Sequence, residues 1–143
     1  MVNIATTRVN SAVATTGEWL ELADEFAGAS IHARGFTDAY HDAIAARMRK
    51  AAVRFRGDAS AVPIGVRRAI NVECLITHAL TGPRDGHQGV KGLENENGTP
   101  MTFRDLCDAL QDRDYTPLLA AVTVACATAG TVRDDDITDA AGN

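Results

Sequence analysis

Along this chain the apolar positions recur first at a spacing of two and then at spacings of three and four. Between residues 29 and 34, Ile31 and Ala33 alternate with Ser30, His32 and Arg34. That is the period of a strand with one covered face. A second short run, 18–22, precedes it, and Asp24, Glu25, Phe26, Ala27 and Gly28 between the two have the composition of a hairpin connection. Two strands alone are marginal in water, so the hairpin has to lean on other elements, with Trp19 as its natural anchor.

From Thr37 onward the helical period takes over. Thr37 caps a helix that carries Asp38 in its first turn. Tyr40, Ile44, Met48, Ala51 and Phe55 follow at spacings of four, four, three and four, which predicts a helix to about Arg56 with that stripe buried. Its outer face is basic: Arg47, Lys50 and Arg54 share one side, and Arg49 and Arg56 another. The next helix spans residues 64–80 and becomes apolar on nearly every side after Val72. A helix of that kind is a central one with neighbours packed around it, and Ile70 and Leu75 are its core positions. Pro63 suits its start, and Gly82-Pro83 stops it after Thr81.

Residues 82–98 hold five glycines and only Val90 and Leu93 as sizeable apolar side chains. Glycine loses much backbone freedom on ordering, so this reads as a long polar loop that does not pack. Thr102 with Asp105 three residues later forms a capping-box pattern, opening a helix that buries Leu106, Cys107 and Leu110. Thr116-Pro117 opens a last helix with Leu118, Ala121, Val122, Ala125 and Ala129 on one side, ended by Gly130. The expected architecture is mainly α, about four helices with a short N-terminal β-hairpin. It forms one small domain over residues 17–130, between a flexible N-terminal arm (1–16) and an acidic, disordered tail (131–143).

Composition refines this picture at three points. At 143 residues the chain suits one self-sufficient domain, and 5% aromatic content implies a core of small aliphatic side chains on helices. The three cysteines show no paired spacing and each lies in an apolar helical stretch, as in a reducing compartment. No signal peptide or run of 18 apolar residues is visible, which predicts a cytosolic protein without a membrane contact. The net charge of −5 is unevenly placed: residues 31–70 hold eight Lys/Arg against three Asp/Glu, and residues 94–143 hold three against ten. That asymmetry biases which surfaces meet which partners.

Catalytic chemistry finds no foothold. None of His32, His41, His78 and His87 stands three or four residues from another histidine, and none shares a helix face with a cysteine, so no ligand pair is preassembled. Asp85-Gly86-His87 offers two titratable groups in a loop, where a general base would lack a rigid mount. The glycines fit neither phosphate-binding pattern, and Asn95 to Gly98 lacks the acid that a calcium loop requires. Asp134, Asp135 and Asp136 read as solvated tail. No cofactor and no enzymatic activity are expected. The basic helix face could meet phosphates, but no aromatic residues interleave its arginines, so an acidic protein surface is the better match.

The order of parts resembles a tail assembly chaperone of long-tailed phages and prophages. The resemblance is carried by Gly17-Glu18-Trp19 before a hairpin, by Arg34-Gly35-Phe36-Thr37 leading into Ala39-Tyr40, and by an apolar helix ending in Leu80-Thr81-Gly82. Asn97-Gly98-Thr99-Pro100 and Met101-Thr102-Phe103 then open a further helix. It covers about residues 17–130, with Pro83 standing where the family often carries Trp. The resemblance implies a helical, non-enzymatic protein of the host cytoplasm that binds the tape-measure protein and keeps its apolar segments soluble. It would help recruit tail-tube subunits and be absent from the mature particle, and a homo-oligomer is compatible with it. Contacts are then expected at Arg47, Lys50, Arg54, Arg56, Asp85, His87, Asp134, Asp135 and Asp136. A head–tail connector or tail-completion protein, and after it a nucleic-acid-binding regulator using helix 38–56, are the alternatives.

Overall fold

A computed structural model describes residue 1, residues 3–7 and residues 10–130. The expected hairpin forms from β1 (Glu18–Glu21) and β2 (Ser30–Ala33), antiparallel, with Trp19 opposite His32 and Leu20 opposite Ile31. Alternation sends Leu20, Ile31 and Ala33 into the core. It therefore sends Trp19 outward, so this side chain is not the internal anchor that the sequence suggested; it is half-buried on the outer face of the sheet.

The glycine-rich stretch departs most from expectation. Its Val90–Lys91 is a third strand, β3, antiparallel to β2 with Ile31 opposite Val90, and Val90 is only 7% exposed. Asp85 and Gly86, both at positive φ, form a two-residue turn in which Arg84 and His87 exchange backbone hydrogen bonds of 3.0 and 2.9 Å. Asp-Gly is the pair such hairpin turns select. Gly92 is required for a different reason: a Cβ there would stand 2.7 Å from the carbonyl oxygen of Gly28. The glycines here let backbone pack on backbone, so the segment holds itself together by main-chain contacts where side chains are scarce.

Five α-helices occur among the described residues. The first, α1 (Val13–Thr16), is a single turn within the predicted N-terminal arm, and it is tied down: Val13 is buried and Asn10 N–H donates to Gly130 O at 2.6 Å. α2 (Asp38–Ala52) starts as expected, with Thr37 Oγ1 accepting from Tyr40 N–H at 3.3 Å. It tightens into a 3₁₀ turn over Val53–Phe55, and Arg56 at φ 57° ends it. At three residues per turn the predicted stripe loses its phase. Phe55, past that change, is accordingly 37% exposed; within the regular helix Tyr40, Ile44 and Met48 are half-buried, and Ala52 is the buried residue of α2.

α3 (Ile64–Cys74) is the hub that the sequence predicted, and it continues through a wider π-helical turn, Leu75–Ala79. Ile70, Val72, Cys74, Leu75, Ala79 and Leu80 are all buried. Leu80 then becomes extended and bridges to Ala33, joining the hub to the sheet. α4 (Phe103–Gln111) carries the full capping box, with Thr102 and Asp105 bonded reciprocally at 3.2 and 3.0 Å. α5 (Thr116–Ala127) closes the core with Leu118, Val122, Ala125 and Cys126. Leu106 and Leu110 of α4 complete a single cluster shared by sheet and helices. The acidic-tail expectation for residues 131–143 lies outside the described residues.

Candidate partner-binding site

The amino-terminal half of α3 is less well covered than its remainder. Ile64 is 81% exposed and Val66 42%, whereas Ile70 and Val72 one to two turns on are buried. Beside it a groove of about 400 Å³ runs between α2, α3 and α5. Its floor is Val72 and Leu75, its walls Phe36 and Tyr40 on one side and Leu119 and Thr123 on the other. The Phe36 and Tyr40 rings pack with centroids 4.6 Å apart, and burial pushes the Tyr40 phenol above its ordinary value. Arg67 and Arg68 line the same groove.

Both guanidiniums are held in place by neutral acceptors. Arg67 Nη2 donates to Ser60 O at 2.7 Å and to Ala59 O at 3.2 Å, while its Nε is buried with no hydrogen-bond partner among the described residues. Arg68 Nη2 donates to Thr116 Oγ1 at 2.8 Å. Neither forms an ion pair among the described residues, although hydrogen bonds from Ser60 and, after them, the charge of Arg67 hold the Asp58 carboxyl below its ordinary value. The groove therefore combines an apolar floor with two positive charges held in place without an ion pair among the described residues. A second groove of about 380 Å³ lies across α3, toward α4, and again includes Arg68, with Arg113 beside it.

The basic residues singled out from the sequence divide. Arg47 forms an ion pair with Glu73 and so ties α2 to α3. Arg49, Lys50, Arg54 and Arg56 are exposed, their side chains making no ion pair or hydrogen bond among the described residues, near Val53, itself 73% exposed.

Asp85 and His87 belong to another part of the surface and share no lining residue with the groove. His87 joins Trp19 and His32 in a cluster with centroid separations of 4.8 to 5.2 Å, and Lys91 Nζ lies 3.8 Å above the Trp19 ring. His87 Nδ1 accepts from Gly89 N–H at 3.0 Å, and His32 Nδ1 meets Thr81 Oγ1 at 2.8 Å. Burial, then the proximity of His87 and Arg84, holds the His32 imidazole below its ordinary value. Far from being mobile loop groups, these residues are fixed by the Asp85-Gly86 turn. Asp134, Asp135 and Asp136 lie outside the described residues.

Among the described residues no group of three or more His, Cys, Asp or Glu is placed to hold a metal ion, and no helix is long and apolar enough to cross a membrane. Burial pushes the Cys126 thiol up to about 12 and also raises Cys74 and Cys107, which opposes thiolate formation. The sequence reading missed the groove residues Phe36, Leu119 and Arg67. Its one available signal was Ile64 and Val66 standing beside Arg67 and Arg68 before the fully apolar half of the helix. The fold and site define a mainly α domain with a small antiparallel sheet and an apolar, arginine-flanked groove. No family model, curated protein or solved structure matches the chain.

Proposed function

We propose that this chain is a binding and assembly protein without enzymatic activity, acting as a phage tail assembly chaperone that receives an apolar helical segment of the tape-measure protein and helps bring tail-tube subunits to it. The observation that carries the reading is the groove between α2, α3 and α5, with its apolar floor, exposed Ile64 and two arginines that form no ion pair among the described residues. Amphipathic helices bind such grooves through apolar side chains at i, i+3 or i+4 and i+7. A carboxylate on the flank of that helix would satisfy Arg67 or Arg68. The sequence resemblance over residues 17–130 supplies the kind of partner. On this reading the protein works in the host cytoplasm and leaves before the particle is complete.

The test is coexpression with a tape-measure protein, followed by capture and by mass spectrometry of assembled particles. Capture together with absence from particles is expected. Presence in particles at stoichiometric amounts would favour a connector or tail-completion protein, and no capture would overturn the chaperone reading.

A further inference from the structure

α5 breaks the usual rule for a helix at a protein surface. No charged residue occurs between Thr116 and Gly130, although Pro117, Ala120 and Ala127 are exposed and Val124 is 61% exposed. A helix that is apolar on every side is ordinarily covered on every side. Here the core covers the inner face, through Leu118, Val122, Ala125 and Cys126, while the equally uncharged outer face meets solvent.

That outer face is one side of a trough of about 270 Å³. The other side is the 3₁₀ turn Asp24–Phe26, which joins β1 to β2, so that Phe26, Ala121 and Val124 line one apolar channel. Asp24 and Glu25 line it too. Both are exposed, and their side chains make no hydrogen bond or ion pair among the described residues. None of the residues lining the trough is basic, so its charge is negative only. The carboxylates around Tyr115 differ, because they serve the fold: Asp105 caps α4 and accepts from Asn95, Glu96 accepts from the Tyr115 hydroxyl, and Asp112 accepts from Asp114 N–H. On the opposite flank of α5, Leu119 and Thr123 line the groove that contains Arg67 and Arg68, and the two hollows share no lining residue.

We propose that the trough between the Asp24–Phe26 turn and α5 is a second docking surface, which takes an amphipathic helix whose apolar stripe is flanked by Lys or Arg and is filled independently of the arginine-lined groove. Charge complementarity selects this occupant. A helix with acidic flanks sets like charges against Asp24 and Glu25, whereas basic flanks give both carboxylates a partner. The small side chains of Ala120 and Ala121 let a second helix axis come to the near end of the usual range of about 8–10 Å. Apolar residues at i, i+3 or i+4 and i+7 of that helix then meet Phe26 and Val124. α5 becomes the partition between two bound helices of opposite flank charge, and the chain a two-sided adaptor. This surface goes beyond the proposed function, since it depends neither on the partner named there nor on Arg67 and Arg68.

Two synthetic helical peptides of about 18 residues, roughly five turns, test it by amide NMR of the full chain. Both carry Leu and Ala at the same i, i+3, i+4 and i+7 positions, and one is flanked by Lys where the other is flanked by Glu. The Lys peptide should shift the amides of Phe26, Ala121 and Val124, bind about tenfold more tightly than the Glu peptide and weaken with added salt. Asp24→Asn combined with Glu25→Lys should abolish that preference, and Asn tolerates the φ of 57° at position 24. Val124→Asp, at an exposed position, should abolish binding with the remaining amides in place. Equal affinity of the two peptides, Lys-peptide shifts centred on Glu94, Asp105 and Asp108 instead, or no shift at Val124 would overturn the proposal. Shifts at Val124 that grow with protein concentration in the absence of peptide would assign the face to a second copy of the chain and overturn it equally. Ile64→Asp in the other groove should leave the affinity for the Lys peptide unchanged, and a loss there would refute the independence of the two surfaces. Absent capture of the tape-measure protein with Lys-peptide binding intact would remove the proposed function alone.

Discussion

The sheet end of this molecule and its helical groove use polar groups in opposite ways. At the sheet end, nearly every polar side chain is matched within the fold: His32 by Thr81, His87 by the Gly89 amide, Lys91 by the Trp19 ring and Arg84 by Asp85. Along the groove, Arg67 and Arg68 are positioned by neutral oxygens and form no ion pair among the described residues, next to exposed Ile64. Internal matching makes a surface self-sufficient. A fixed charge outside any ion pair, beside apolar surface, leaves favourable interactions for another segment to complete.

That contrast can be broken from either side, and the largest effect is expected where both ends share one core. Leu75, buried in the π-helical turn of the hub, faces both the sheet cluster and the groove floor. Leu75→Ala should destabilise the protein by about 2–5 kcal/mol in chemical denaturation, because the cavity left behind cannot fully collapse. Gly92→Ala comes next, at about 1–3 kcal/mol, since it places a Cβ against the Gly28 carbonyl at a positive φ. It should lower the stability of the sheet end and leave the groove amides in place by NMR. Thr102→Ala removes one arm of the capping box and should cost about 1 kcal/mol.

His32 is held below its ordinary value near 6.5, so the folded state binds its proton less readily than the unfolded state does. The associated stability is present above that ordinary value and is lost as pH falls below it toward the folded value. Urea midpoints measured from about pH 7.5 down to about pH 5 should therefore decline, and His32→Gln should flatten that part of the decline. Smallest of all, Ile64→Asp should change stability by no more than about 0.5 kcal/mol, the range of ordinary surface substitutions.

How far these features were readable in the sequence depended on whether side chains or backbone determine the local structure. The capping box at Thr102 and Asp105, the hub from Ile70 to Leu80 and the hairpin alternation at Ile31 and Ala33 are side-chain patterns, and each appears in the fold. The order of residues 82–98 is a backbone property: glycines at Gly86 and Gly92 permit tight turns and close approach, yet in sequence the same glycines resemble flexibility. Phe55 kept a perfect helical spacing but lies beyond the point where α2 changes its pitch. The groove was hidden for another reason, because Phe36, Tyr40, Ile64 and Leu119 come from separate parts of the chain and only packing brings them together.

We propose that the groove, and not the sheet end, receives the partner. Capture of coexpressed tape-measure protein should be compared for the unmodified chain, for Ile64→Asp in the groove and for Lys91→Ala on the sheet face. The unmodified chain and Lys91→Ala are predicted to retain the partner equally while Ile64→Asp loses it. Undiminished capture by Ile64→Asp, or its loss with Lys91→Ala, would exclude the groove as the docking surface.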